Sequence, residues 1–322
     1  MIREDVMAKP IDLILDTDVG ADCDDMLALA YLIYAEKRGL VRLRAVGYSN
    51  GCPDGVAAIR TLFRDLGASP PPIGQGKHGL KTYDRYCGEI VSRFGREEDL
   101  TPAEAAVAVL RRGLSESDGA VICGIGPLTN LAALLESGPD GISPLGGTAL
   151  VKEKCRCLVL MAGTFPEHAE DAEPEWNAKL DAAATRIVVE RSPVPIVFLP
   201  FETGADMITG GPVMAAFGET RPLSLSFLRF PGALARGGRH SWDPAAVLYA
   251  VEGEADLLEA CLRGTVRVDG AGRTLMEPAE DGPHSVLRVK KRAGMDEDAC
   301  KAAVAAYLDE CVMELCNGSA FR

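Results

Sequence analysis

No apolar run in this chain approaches the roughly 20 residues that a helix needs to cross a bilayer, and no membrane span is expected. No cluster of Lys and Arg with interleaved aromatics occurs either, and the net charge of -13 repels phosphates, which disfavours nucleic acid and anionic membrane surfaces as partners. The opening residues, MIREDVMAKPIDLIL, lack the apolar core and small-residue cleavage site of a secretory signal, so the expectation is a cytoplasmic protein. The 10 cysteines follow no framework spacing. Cys155 and Cys157 are the one close pair, and a CxC without a second pair or a nearby His is weak evidence for zinc, so buried or incidental thiols are expected. Repeats, low-complexity tracts and long linkers are absent as well, which leads to one domain over residues 1–322 with loop excursions near 70–95 and 203–238.

What is present is ordinary globular composition, 47% hydrophobic and 25% charged, arranged as alternating strand-like and helix-like segments. Short apolar runs at 11–15, 41–46, 120–123, 158–161 and 196–199 are bounded by turn residues, as buried parallel strands are. Helix patterns fall between and after them, at 24–37, 54–66, 102–112, 128–136 and 181–190, with a last long helix over 296–316. This order predicts an α/β fold built on a single open, mostly parallel β-sheet flanked by helices on both faces. Ligands of such sheets bind outside the carboxyl ends of the strands.

At the first of these ends lies IDLILDTDVGADCDDMLALAYL, where Asp16, Asp18, Asp22, Asp24 and Asp25 crowd between a strand and a helix. Like charges this close repel and raise one another's pKa, whereas a hard divalent ion with oxygen ligands keeps them ionised. A solvated turn capping a helix explains one or two of these aspartates, not five. An EF-hand is excluded, because the twelfth position from Asp16 is Leu27 and the glycine stands at the fifth.

Four more constellations fall at or just after predicted strand ends: AVGYSN (45–50), CGIGPLTN (123–130), the EPEWNAKLD core of 161–181, and HSWDP (240–244). Each has a plain structural reading taken singly, as a strand end or a helix cap. Together and in this order the set resembles the calcium-dependent nucleoside hydrolases of the inosine-uridine preferring type, whose pattern runs DxDxGxDDxxA, VxGN, GxLTN, MGG…ExN…D and a late (H/W)DP. The fit is strongest at Asp16, Asp18, Gly20, Asp24, Asp25, Leu128 to Asn130, Glu175, Asn177, Asp181 and Asp243.

The resemblance implies roles. Asp18 would ligate Ca²⁺ and act as base on the metal-bound water, Asp25 would be a bidentate ligand, and Asp243 with the Ile125 carbonyl would complete the protein shell. Asp24, Asn50, Glu175 and Asn177 would hold the ribose, with Met161 packed under it. The reaction implied is hydrolysis of the N-glycosidic bond of a ribonucleoside, through an oxocarbenium-like transition state stabilised by Asp18, Asp24 and Glu175. Homodimers or homotetramers are what the family implies for assembly.

This chain also departs from the pattern. The position before the late aspartate is Trp242, where inosine-uridine enzymes have a His proposed as the acid, and this leans the substrate toward purine ribonucleosides. His240 is an alternative acid. DVGADCDD is two residues longer than the family loop, so Asp22 is a second-rank metal ligand able to replace Asp18 or Asp24. Ala169 stands where the family has an amide near the sugar's 5′ end. Tyr83 or Tyr86, in a flap with Phe94, would face Trp242 across the base. Two rivals stay open: a haloacid-dehalogenase-type Mg²⁺ phosphatase with Asp16 as nucleophile, which Gly20 and the late WDP argue against, and a non-catalytic Ca²⁺- or ribose-binding relative.

Overall fold

Branched and apolar runs bounded by turns form the strands of one ten-stranded sheet in the computed structural model, which describes residues 9–77, 82–166, 168, 173–254 and 257–318. Seven strands come first: β1 (Ile11–Thr17), β2 (Val41–Tyr48), β3 (Ile73–Gln75), β4 (Glu104–Ala105), β5 (Ala120–Gly124), β6 (Cys155–Met161) and β7 (Ile196–Leu199). Two short strands, β8 (Ile208–Thr209) and β9 (Arg239–His240), pair as a separate ribbon. The last three, β10 (Leu258–Val268), β11 (Thr274–Pro278) and β12 (His284–Val289), rejoin the sheet. Its order is β11-β10-β12-β7-β6-β5-β1-β2-β3-β4.

Within this sheet every pairing from β12 to β4 is parallel, and the β10 pairings with β11 and β12 are antiparallel, as is the separate β8–β9 ribbon. Along β1 the pleat sends Leu13 and Leu15 into one apolar cluster and Ile14 into the other, so each face carries its own core. The helix Asp24–Lys37 is buried from Asp24 to Ala35 and packs against Trp242–Glu252 and Glu297–Asn317 on the first face. Helices Ala106–Ser115, Thr129–Glu136 and Ala182–Arg191 cover the second. No helix among the described residues is long and apolar enough to cross a membrane.

Several boundaries move from their expected places. The 70–79 stretch is not wholly an excursion, because Ile73–Gln75 pairs with β2 inside the sheet. The helix expected from residue 102 starts at Ala106, since Glu104 and Ala105 are drawn into an edge pairing with β3. The flap of 77–95 contains a helix, Cys87–Phe94, and residues 78–81 lie outside the described ones. Segment 203–238 folds into short helices and β8 beside the strand ends. Cys155 and Cys157 sit on β6, and the Cys155 thiol donates to the Cys157 carbonyl at 3.2 Å.

Candidate active site at the strand carboxyl ends

The aspartate loop leaves β1 in a shape that side chains from elsewhere impose. Gly20 has φ of +105°, and a Cβ there would lie 2.9 Å from both the Cys87 thiol and the Tyr83 carbonyl. Tyr48 donates its hydroxyl to the Val19 carbonyl at 2.9 Å. Tyr86 accepts from the Gly20 N–H at 2.8 Å and donates to the Asp22 carbonyl at 2.5 Å. Asn50 donates to the carbonyls of Val19 (3.2 Å) and Tyr83 (2.7 Å) and accepts from the Tyr83 N–H (3.1 Å). Asn50 was expected on the ribose; its amide is instead committed to this backbone, and it does not line the cavity.

Two helix starts then bring the acids together. Asp24 and Asp25 open the helix Asp24–Lys37, Asp243 lies in the first turn of Trp242–Glu252, and Asp24 Oδ2 accepts from the N–H groups of Trp242 (3.1 Å) and Asp243 (3.2 Å). Asp25 Oδ1 accepts from the Thr17 hydroxyl at 2.5 Å and the Asp18 N–H at 3.2 Å. Its other oxygen is buried with no protein partner. One oxygen from each of Asp24, Asp25 and Asp243 lies within 4.8 Å of the others. Asp24, expected on the sugar, thus joins this grouping, where the resemblance has Asp18.

Burial, and then mutual repulsion, push the carboxyls of Asp18, Asp24, Asp25 and Asp243 well above the usual carboxylate range. A divalent cation reverses that cost, and an oxygen-only donor set with a buried oxygen left unpartnered fits a hard ion such as Ca²⁺. The backbone after β5 adds Ile125, whose N–H donates to the Asp16 carbonyl at 2.8 Å and whose carbonyl accepts from Asn177 at 3.3 Å.

Other motif residues turn out to be scaffold. Asn130 donates to Asp16 Oδ1 at 2.7 Å, and Thr129 to Asp181 at 2.8 Å, tying the helix Thr129–Glu136 to β1 and to Ala182–Arg191. Asp16 is fully buried and does not line the cavity; burial raises it to about 7. It is no nucleophile in this position, which removes the phosphatase rival.

Glu175 caps the helix Trp176–Leu180, accepting from the N–H groups of Asn177 (2.9 Å), Ala178 (3.1 Å) and Gly163 (3.3 Å), and burial raises it to about 7. Asn177 donates to the Met161 carbonyl at 3.1 Å and contacts its sulfur at 3.3 Å. With Asp18, Asp22, Asp24, Asp25, Ile125 and Asp243, the three residues Met161, Glu175 and Asn177 line one cavity of about 300 Å³.

The rim is aromatic and cationic. Phe201 stacks on Trp242 with centroids 5.3 Å apart, and Tyr83 packs on Trp176 at 5.8 Å, so the sandwich expected between the flap tyrosines and Trp242 is replaced by two separate pairs. Tyr86 is buried beneath the loop. Gly204 lets the indole approach: a Cβ at that position would fall 2.4 Å from Trp242 Cδ1. Asp22 is not free for a metal, because Arg239 grips its carboxylate at 2.5 and 3.0 Å while stacking over Phe230 and Trp242.

His240 lies off the cavity lining. Its Nδ1 accepts from the Asp206 N–H at 2.9 Å, and burial with Arg239 and Arg236 lowers its pKa, all of which disfavours an acid. Arg85, Trp176, Phe201, Phe230 and Arg239 also line the cavity, and only Trp176, inside EPEWNAKLD, and Arg239, just before HSWDP, carry any signal in the sequence. Ala169 lies outside the described residues.

The family model described as inosine-uridine preferring nucleoside hydrolase matches residues 13–310. An uncharacterized protein of Schizosaccharomyces pombe, C1683.06c, is 30% identical over 208 residues, which is 59% of this chain and 61% of the length of that relative. Among solved structures, an inosine-guanosine nucleoside hydrolase superposes with a TM-score of 0.70 at 20% identity, covering 94% of this chain and 98% of that one. The effector protein XOO4466 does so with 0.65 at 17%, covering 94% of each chain.

Proposed function

The chain belongs to the inosine-uridine preferring nucleoside hydrolase family, and from that premise we propose that it hydrolyses the N-glycosidic bond of ribonucleosides, with a lean toward purines, in cytoplasmic nucleoside salvage. The convergence of Asp24, Asp25 and Asp243, with an unpartnered Asp25 oxygen, at the floor of a cavity walled by Glu175 and Asn177 carries this reading.

Asp25, Asp243 and the Ile125 carbonyl would hold Ca²⁺, with Asp18 and Asp24 completing the acidic wall; the bound ion supplies charge neutralisation, a polarised water and a grip on vicinal hydroxyls. Asp18 takes the proton of the attacking water. Glu175 and Asn177 face the sugar, and the carboxylates around it stabilise the cationic ribosyl ring, an effect worth roughly 10²- to 10³-fold per well-placed contact by analogy with oxyanion holes. The base leaves toward Trp242 and Phe201. Since His240, though packed on Trp242 with ring centroids 5.0 Å apart, does not line the cavity and has its Nδ1 held by the Asp206 N–H, protonation of the leaving base is assigned to water.

The purine lean rests on Trp242 and on the inosine-guanosine hydrolase among the structural relatives. Homodimers or homotetramers are proposed on the family's account alone. The test is ribose release from inosine, adenosine, guanosine, uridine and cytidine, with and without chelator. Turnover indifferent to chelation sinks the cation assignment, and a marked uridine preference sinks the purine lean. If Asp18→Ala leaves a folded protein with unchanged turnover, the catalytic reading fails and a binding relative remains.

A further inference from the structure

The flap that carries Tyr83 and Arg85 to the cavity is tied to the turn after β2 by a second donor cluster of different chemistry. Cys52, in that turn, and Cys87, the first residue of the helix Cys87–Phe94, are 35 positions apart in the chain, and both are fully buried. Their side chains lie within hydrogen-bonding contact of each other, and the Asp54 N–H donates to the Cys52 sulfur. Asp84 adds a carboxylate from the exposed side, so that one ligand atom from each of Cys52, Asp84 and Cys87 lies within 4.8 Å of the other two. Gly88 keeps the front of the cluster open: a Cβ there would meet Asp84 Oδ2 at 3.0 Å and Asp54 Oδ2 at 3.4 Å.

We propose that Cys52, Cys87 and Asp84 form a structural zinc site; Asp54, whose Oδ2 lies 3.4 Å from the point a Gly88 Cβ would occupy, stands outside this grouping and would turn inward to take the fourth position. Tetrahedral zinc has Zn–S near 2.3 Å and Zn–O near 2.0–2.2 Å, which sets ligand atoms about 3.5–3.8 Å apart, inside the spacing seen here. Sulfur donors select a softer ion than the all-oxygen aspartate group, so the two sites sort their ions by chemistry and not by position. Bound zinc would fasten the flap where Cys87 already packs on Gly20 and Asn50 clamps Tyr83.

The full chain, reduced and stripped on a chelating resin, is titrated with Co²⁺ and then Zn²⁺ under anaerobic conditions. One equivalent of Co²⁺ should give a thiolate-to-cobalt charge-transfer band with visible bands of tetrahedral strength, and Zn²⁺ should displace both. Cys52→Ser and Cys87→Ser should abolish the charge-transfer band, whereas Asp243→Asn should leave it, since carboxylates give none. Asp84→Asn, at an exposed position that tolerates the change, should weaken Zn²⁺ at least tenfold, and Zn²⁺ should slow amide exchange across residues 82–95. Absence of the band in a protein with both thiols titratable overturns the proposal, as does a band that survives either serine variant. So does a Cys52–Cys87 linked peptide pair, two hydrogens lighter than the separate peptides, recovered from the protein before reduction.

Discussion

Trp242 donates its indole N–H to the Phe201 carbonyl at 2.7 Å, and the same Phe201 stacks on the indole ring. The two form one rigid apolar wall, over which the Arg239 guanidinium sits 4.9 Å from the indole centroid. Stacking a base on an aromatic is worth about 1–3 kcal/mol. Trp242→Ala should therefore lower kcat/KM for purine nucleosides by roughly 10- to 100-fold and for uridine less, by the stacking term. Trp242→Phe keeps the wall and loses one hydrogen bond of about 1 kcal/mol, so it should stay within about tenfold of the parent. Equal losses on both base classes in steady-state assays would remove Trp242 from specificity.

The acidic floor should respond to a single substitution with opposite signs in two conditions. Asp243→Asn removes one of several buried like charges, whose pairwise repulsion at about 5 Å and an effective dielectric near 20 is about 3 kcal/mol. In chelator its melting temperature should rise by several degrees over the parent. With millimolar Ca²⁺ the parent should gain stability by mass action while the variant gains little. Calorimetry with and without the ion checks both signs, and a variant that melts lower in chelator contradicts the repulsion argument.

The Arg239 grip on Asp22 ranks the aspartates. Because the Asp22 carboxylate is already neutralised by a guanidinium, Asp22→Asn should weaken Ca²⁺ less than tenfold. Asp25→Asn, which alters the unpartnered buried oxygen, should weaken it more than 100-fold. Titration calorimetry decides, and a reversed order would make Asp22 a ligand.

His284 provides a pH signature remote from the site. Its Nδ1 accepts from the Val266 N–H at 2.8 Å, its other nitrogen bonds to the Val189 backbone, and burial lowers its pKa to about 4 from an ordinary 6.5. Between those values the unfolded chain binds more protons than the folded one, so this contribution to stability is complete above about 6.5 and is lost as pH falls toward 4. Asp309, raised to about 6 by burial, acts with the opposite sign. Denaturant melts of the parent and of His284→Gln at pH 7 and pH 4.5 should therefore converge at the lower pH, and a constant gap would refute the assignment.

The central parallel strands and the helix Asp24–Lys37 were legible because both faces of such a sheet are covered, which leaves short unbroken apolar runs in the sequence. The β10–β12 region escapes the sequence pattern: β10 mixes buried with exposed positions, β11 is mostly exposed, and the buried β12 joins the sheet through β7, a pairing set by distant parts of the chain. At the site, residue types and their order identified the acids. Partnership was invisible. Nothing local tells that Asn50 holds backbone, that Arg239 neutralises Asp22, or that Cys52 meets Cys87, since each depends on where two loops cross above the sheet.

The two margins of the sheet have a bearing on how copies of this chain could assemble. One ends in β4, two exposed residues long, and the other in β11, five residues closed by Pro278, which lacks an N–H to offer. Neither presents a long row of open backbone groups for a strand of a second molecule to extend. Self-association, where it occurs, must then be built from side chains on the helical faces or the loops, and its strength will be set by surface substitutions there rather than by strand register.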